Sequence, residues 1–394
     1  MGSTLILLQY FMVAKLIFFG FFFTVHFLVN FYIYRRGVAA LHNRLVLKHW
    51  FRGVMLLLFL AYPLGRWLDS VYYSTLSVVL HWLGSFWFAA MLYLFMALFV
   101  IDLIRLLNFV GRFLPDKNSD RYVQLKQRAF VFVAISVVAI VLLGHINAWY
   151  PVINRQTIEI GKSAGHYSEL KVVAVSDIHL GTIIGPRKTK KLVEAVNALD
   201  ADIILLVGDV IDEDIKPVIE QNLGESLAML KAPLGVWAVP GNHEYIGGVN
   251  AAITYLSDHG IHILRDSVAF VDSSFYLVGR DDRDGRRFAG VSRKEIGELV
   301  QGVDQAFPLI AMNHQPHEFD QAQQAGVDLH LSGHTHYGQL WPLGYLTDRL
   351  FEIGRGYLQK GNTHFFVSTG FGTWGPPVRT GSRPEILEIR LLFK

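Results

Sequence analysis

Hydrophobic and polar positions change their spacing part-way along this chain. Up to about residue 150 the apolar residues form long runs. Leu5 to Tyr34 is almost wholly apolar, broken only by Lys15, His26 and Asn30. Leu76 to Ile104 is apolar with His81 as its obvious polar cost, and Ala129 to Tyr150 closes on Trp149 and Tyr150, residue types that favour a membrane interface. Each run reaches the ~20 residues that cross a bilayer as a helix. Val54 to Leu64 is shorter, with Pro63 and Arg66 at its end.

From about Gln156 the runs become short and alternate in kind. Val172–Val175, Ile203–Val207, Val236–Val239, Phe275–Val278, Leu309–Met312, Leu329–Leu331, Phe365–Ser368 and Ile386–Leu392 read as strands. Between them, Lys188–Leu199 places Leu192, Val193, Val196 and Leu199 at helical spacing, and Leu223–Leu230 and Ala251–His259 also read as helices. The alternation predicts a layered α/β domain over 156–394, behind a membrane region over 1–150.

Charge orients the membrane region. One linker carries Arg35, Arg36, Arg44, Lys48 and Arg52, and another carries Arg105, Arg112, Lys117, Arg121, Lys126 and Arg128. The positive-inside rule places both in the cytoplasm, which requires Val54–Leu64 to cross. The expectation is four spans, roughly 5–33, 52–68, 76–104 and 129–150, in the cytoplasmic membrane. The N-terminus and everything after Pro151 then lie on the extracytoplasmic side. The N-terminal run is too long, and too poor in basic residues, for a cleavable signal peptide. A transporter or sensor would bury several charges in its spans; only Lys15 qualifies, so the helices read as an anchor. Net charge is +3 with no basic block at either end, which argues against a nucleic-acid partner.

Polar clusters follow five of the apolar runs. In order they are Asp177-Ile178-His179, Gly208-Asp209 with Asp212, Gly241-Asn242-His243-Glu244, Asn313-His314, and Gly333-His334-Thr335-His336. Residues that follow strands gather along one edge of an α/β sheet, where such sheets place their ligands. Glycines 208, 241 and 333 allow sharp turns just before the polar residues. The chain has no cysteine, so disulfides and thiolate metal sites are excluded. Oxygen plus imidazole donors suit manganese, iron, zinc and similar ions. An isolated histidine is usually a packing or surface residue, but His334 and His336 complete an ordered set.

This order of motifs resembles the calcineurin-like metallophosphoesterase superfamily from about Leu170 to the C-terminus. Ser368-Thr369-Gly370-Phe371-Gly372-Thr373, then Pro376, Arg379 and Pro384-Glu385-Ile386, resemble its membrane-associated branch, in which apolar segments precede the domain. The resemblance implies a four-layer α/β/β/α sandwich with two divalent metal ions, manganese first, with iron, zinc or cobalt as alternatives. It implies Asp177, His179 and His336 on one metal, Asn242, His314 and His334 on the other, and Asp209 bridging both. A hydroxide shared by the two ions would attack phosphorus in line. His243 would bind no metal and would stabilise the transition state or protonate the leaving oxygen. Asp212 and Glu244 are candidate orienters of these histidines, and Asp212 is equally a candidate helix cap.

His317, His330 and His364 read as structural or surface residues, and Phe371 as core. Trp374 rims the pocket or joins the core; Trp341, Trp374 and Arg379 lie near the last ligands and are candidates for contact with interface and phosphate. Four spans exceed what tethering needs, which points to a membrane lipid or lipid-linked phosphoester as substrate. The alternatives are a cytoplasmic-face pyrophosphohydrolase of a sugar-nucleotide lipid precursor, and a membrane sensor that binds metal without catalysis. Reporter fusions at Lys117 and at the C-terminus should report opposite sides of the membrane; the same side for both would contradict the four-span topology.

Overall fold

The computed structural model describes the backbone from Gly2 to Lys394 and side chains from Gly20 onward. Compact packing divides the chain between Gly144 and His145. The first unit is helical: α1 (Gly2–Ala40), α2 (Leu45–Val71), α3 (Thr75–Gly111) and α4 (Asp120–Ala148), whose last turn belongs to the second unit. Three of them, α2, α3 and α4, are long and apolar enough to cross a membrane. Lys15 lies outside the described side chains, so the crossing by α1 remains a reading of the sequence.

Pro63, expected near the end of a span, sits inside α2, which continues to Val71. A proline is tolerated in a membrane helix where neighbouring groups satisfy the freed backbone. The α2–α3 hairpin is close: a Cβ at Gly84 would lie 2.3 Å from the backbone nitrogen of Tyr62. Small residues at such crossings let helices pack without a hydrophobic driving force. Among the described residues the helices also bury polar groups. Asp69 meets His81 at 2.5 Å, and Trp87 Nε1 donates to Asn30 Oδ1 at 2.9 Å. Asp102, inside the span expected over 76–104, takes Tyr32, Arg36 and Arg105 as partners.

The second unit holds two six-stranded sheets. The first has the order β1 (Val152–Ile160), β12 (Glu385–Phe393), β2 (Glu169–Val175), β3 (Ile203–Val207), β4 (Val236–Val239) and β5 (His262–Ile263). The second has the order β10 (Gly356–Lys360), β11 (Thr363–Val367), β9 (Leu329–Ser332), β8 (Leu309–Met312), β7 (Phe275–Gly279) and β6 (Ser267–Val271). Val172, Ala174 and Leu205 of the first sheet pack with Leu277, Ile310, Leu331 and Phe366 of the second, so the sheets face each other across the main core. The second sheet's other face, through Val278, Ala311 and Phe365, buries Phe319 and Ala322 of the helix Phe319–Gln324. Leu192, Val193 and Val196 are the buried stripe of the helix Pro186–Asn197, at the spacing expected. This is the four-layer sandwich, with β2, β3 and β4 mutually parallel and β8 parallel to β9.

Replacing Gly84 by Val should overpack the α2–α3 contact at a cost of about 1–3 kcal/mol. Loss of helical circular dichroism from the detergent-solubilised protein should then occur at lower temperature; an unchanged transition would contradict this close approach.

Candidate metal centre

Each strand end delivers its polar residues to the same place. Asp177 and His179 follow β2, Asp209 and Asp212 follow β3, and Asn242 and His243 open the helix Asn242–Gly247 after β4. His314 follows β8, and His334 and His336 follow β9. Both sheets therefore contribute. The turns are made largely by the polar residues themselves: Asp177, His179, Asp209, His334 and His336 have φ of +52°, +53°, +51°, +71° and +45°. Non-glycine residues in this region carry strain of roughly 1–3 kcal/mol each, a cost that clusters at functional sites. Of the three glycines expected to turn the chain, Gly208 does so with φ +80°. Gly241 serves close approach instead: a Cβ there would lie 2.2 Å from Asp209 Oδ1.

The donors form two sets around one carboxylate. In the first, His336 Nε2 lies 3.0 Å from His179 Nε2 and 3.5 Å from Asp177 Oδ1. In the second, His334 Nδ1 lies 2.8 Å from Asn242 Oδ1, and Asp209, His314 and His334 converge. Asp209 Oδ2 sits 3.0 Å from His314 Nε2 and 3.9 Å from His179 Nε2, facing both sets. Its Oδ1 accepts the backbone N–H of His243 at 2.9 Å. All seven residues expected as ligands are thus brought together.

These donors fit divalent cations. His314 donates from Nδ1 to Val207 O, which turns its buried Nε2 toward Asp209 Oδ2 at 3.0 Å, a pair that needs a proton or a cation between them. Two imidazole nitrogens 3.0 Å apart, as in His179 and His336, need a proton or a cation between them. Burial pushes the His334 imidazole down to about 3, and burial beside Arg379 takes His336 well below its usual range, so both rings stay neutral as ligands must. Burial opposes charge on Asp209, but His314, His243 and His179 outweigh it and hold that carboxyl well below the usual range.

The calcineurin-like phosphoesterase family model matches residues 170–338. An uncharacterized metallophosphoesterase of Aquifex aeolicus is 33% identical over 259 residues, covering 64% of this chain and 98% of the relative. A transmembrane protein with metallophosphoesterase domain from Danio rerio is 31% identical over 354 residues, covering 86% of this chain and 80% of the relative. An uncharacterized metallophosphoesterase of Campylobacter jejuni is 26% identical over 380 residues, covering 93% and 96%.

The chain belongs to the calcineurin-like phosphoesterase family. It is a metal-dependent phosphoester hydrolase with apolar helices ahead of its catalytic domain.

Within this phosphoesterase, His243 stands beside both sets. Its Nδ1 is 3.1 Å from Asp212 Oδ1 and 3.6 Å from Glu213 Oε1, and its ring meets His179 edge-on at 4.6 Å. Burial works against its charged form, but Asp209, Asp212 and Glu213 prevail and push its pKa up to about 9. Bound cations would oppose that rise. Asp212 also lies 3.3 Å from His179 Nδ1, so it faces two histidines. The hydrogen bonds of Glu244 go to backbone. Its carboxylate accepts the backbone N–H groups of Asp209, Ile211 and Gly241 at 3.1, 2.8 and 2.8 Å, and so fixes the turns that carry the site.

Arg379 is fully buried, which removes it from contact with interface or phosphate. Its guanidinium donates to Gly372 O, Gly370 O and Ser382 Oγ, and its Nη2 donates to His336 Nδ1 at 3.0 Å. A guanidinium only donates, so His336 Nδ1 accepts here and the neutral ring carries its proton on Nε2, facing His179 Nε2. The sequence signal for this role is weak: Arg379 lies 43 residues beyond His336. His330 is core against Phe319 and Phe365, and His364 Nδ1 meets the Tyr357 hydroxyl at 2.8 Å. Phe371 is fully buried, whereas Trp374 is 55% exposed with its ring 5.8 Å from that of His243.

Replacing Asp209 by Ala should abolish turnover and lower bound metal further than Asp177→Ala or Asn242→Ala, because Asp209 Oδ2 lies beside histidines of both sets. Elemental analysis checks this; equal metal loss in all three variants would contradict it.

Proposed function

We propose that this phosphoesterase hydrolyses a phosphoester in a lipid head group at the extracytoplasmic face of the cytoplasmic membrane. Asp177, His179 and His336 would hold one divalent ion, Asn242, His314 and His334 a second, and Asp209 both. Manganese is the first candidate, with iron, zinc or cobalt as alternatives, since imidazole and carboxylate donors serve all four. Two such ions supply an oxygen nucleophile at neutral pH and neutralise the phosphoryl oxygens.

The chain's own residues prepare that chemistry. Glu244 and the His243 backbone N–H fix Asp209. Asp212 orients His179 and His243. His243, favoured in its charged form by three carboxylates, is placed to give a proton to the leaving oxygen.

Trp374 carries the lipid reading. It is exposed beside His243, in a loop held by the last turn of α4, a candidate membrane span. His145 Nδ1 lies 2.7 Å from Pro377 O, and Asn147 Nδ2 donates to Arg379 O and Ser382 O at 2.8 and 3.0 Å. The same loop is fastened to a second apolar edge: Gln339 bonds Trp374 and Pro376, and Trp341 N donates to Thr380 Oγ1. Trp341, Tyr345, Leu346 and Leu350 beyond it are all more than half exposed. Aromatic and aliphatic side chains clustered near a membrane exit suit the bilayer interface.

In bicelles, the full-length double variant Trp341→Ser, Leu346→Ser should lose roughly tenfold or more in turnover of glycerophospholipid substrates, the worth of two apolar side chains. Turnover of bis-p-nitrophenyl phosphate should stay within about twofold of the parent. Equal losses on both substrates would contradict a lipid-facing edge. His243→Ala should keep both metals and slow turnover by roughly 10²–10⁴-fold; metal-free protein would make it a ligand instead.

A further inference from the structure

The helical unit contains a cavity of 310 Å³ bordered by all four helices, within the ~300–1,000 Å³ range of small-ligand sites. Its walls are apolar, with Met55, Trp87, Leu94, Phe130 and Ala134 among them. Its rim is charged: Arg36, Asp102, Arg105 and Lys126 all border it. Asp102 already takes Tyr32, Arg36 and Arg105 as partners, so the rim carries three cations, Arg36, Arg105 and Lys126, and one carboxylate. Lys126 lies over the Tyr122 ring at 5.4 Å and has no carboxylate at ion-pair distance among the described residues. An apolar hollow inside a membrane is filled by hydrocarbon, since water there would lack polar partners. A basic rim selects hydrocarbon that carries an anion.

We propose that this cavity holds an acyl chain of an anionic glycerophospholipid, with the phosphate at Lys126 and Arg105. This lipid is not the substrate. About 33 Å of helix separates Lys126 from Ala148, where α4 ends, a distance that matches the ~30 Å hydrocarbon core. The basic rim therefore meets the leaflet opposite to the one at which α4 leaves the membrane. The bound lipid would be wedged between Phe130 and Ala134 of α4 and Met55 and Leu94 of the α2–α3 hairpin.

The test uses full-length protein, stripped of lipid in detergent and examined by native mass spectrometry. Dioleoylphosphatidylglycerol and dioleoylphosphatidylcholine, with identical chains, are offered in competition, and glycerol 1-phosphate is offered alone. The parent protein should retain phosphatidylglycerol in preference to phosphatidylcholine and should not retain glycerol 1-phosphate. Lys126→Glu should weaken phosphatidylglycerol retention roughly thirtyfold, from about two charge units at the site. Ala134→Phe, which fills the cavity without altering charge, should weaken it as well. Both positions lie on partly exposed parts of α4, and circular dichroism confirms that the variants fold. Equal retention of the two lipids by the parent protein would overturn the proposal, whatever the variants do. So would retention of glycerol 1-phosphate, or folded variants that hold phosphatidylglycerol as the parent does.

Discussion

Buried lone pairs without protons are the constraint on which the catalytic domain depends. Asp177, His179, Asp209, His314 and His336 are almost fully buried and crowd ring nitrogens and carboxylate oxygens within about 4 Å of one another. Acceptors packed this way repel unless a positive charge stands among them. Protons relieve part of this, as the raised pKa of His243 indicates. Divalent cations relieve more, and Asp209, with histidines of both sets around one carboxylate, is where two of them would share a ligand.

The scaffold is arranged to hold that crowding in place. Parallel strands of both sheets end at one edge, so residues far apart in sequence arrive together without long loops. Left-handed backbone at five of the seven expected ligands aims their side chains inward, and the surrounding structure must hold that strain. Glu244 contributes by taking three backbone N–H groups, and Arg379 by bonding His336 and the carbonyls of Gly370 and Gly372. The loop that carries Arg379 is also bonded to Asn147, so the end of α4 and the ligand His336 are two bonded steps apart.

What could be read from the sequence follows from burial. β3, β4 and β8 were expected with the bounds observed, because interior strands covered on both faces read as unbroken apolar runs. β1, β5, β6 and β10 were not expected, and all four are sheet edges. Their outward positions stay partly exposed, as along Gly356–Lys360, so polar residues interrupt the pattern. The expected ligands were legible because each follows an interior strand closely. By sequence Arg379 reads as a surface contact, and the structure buries it instead, since its partner is set by a fold-back that no local spacing reveals. Asp102 does not stand out inside its apolar run, because its cost is met by Tyr32 on another helix.

Anomalous diffraction from crystals of the full-length protein grown with manganese tests the central claim most directly. Two peaks are predicted, about 3.5–4 Å apart, with Asp209 touching both. One should be bound by Asp177, His179 and His336, the other by Asn242, His314 and His334, and His243 should touch neither. A single peak, or an ion bound by His243, would contradict the account.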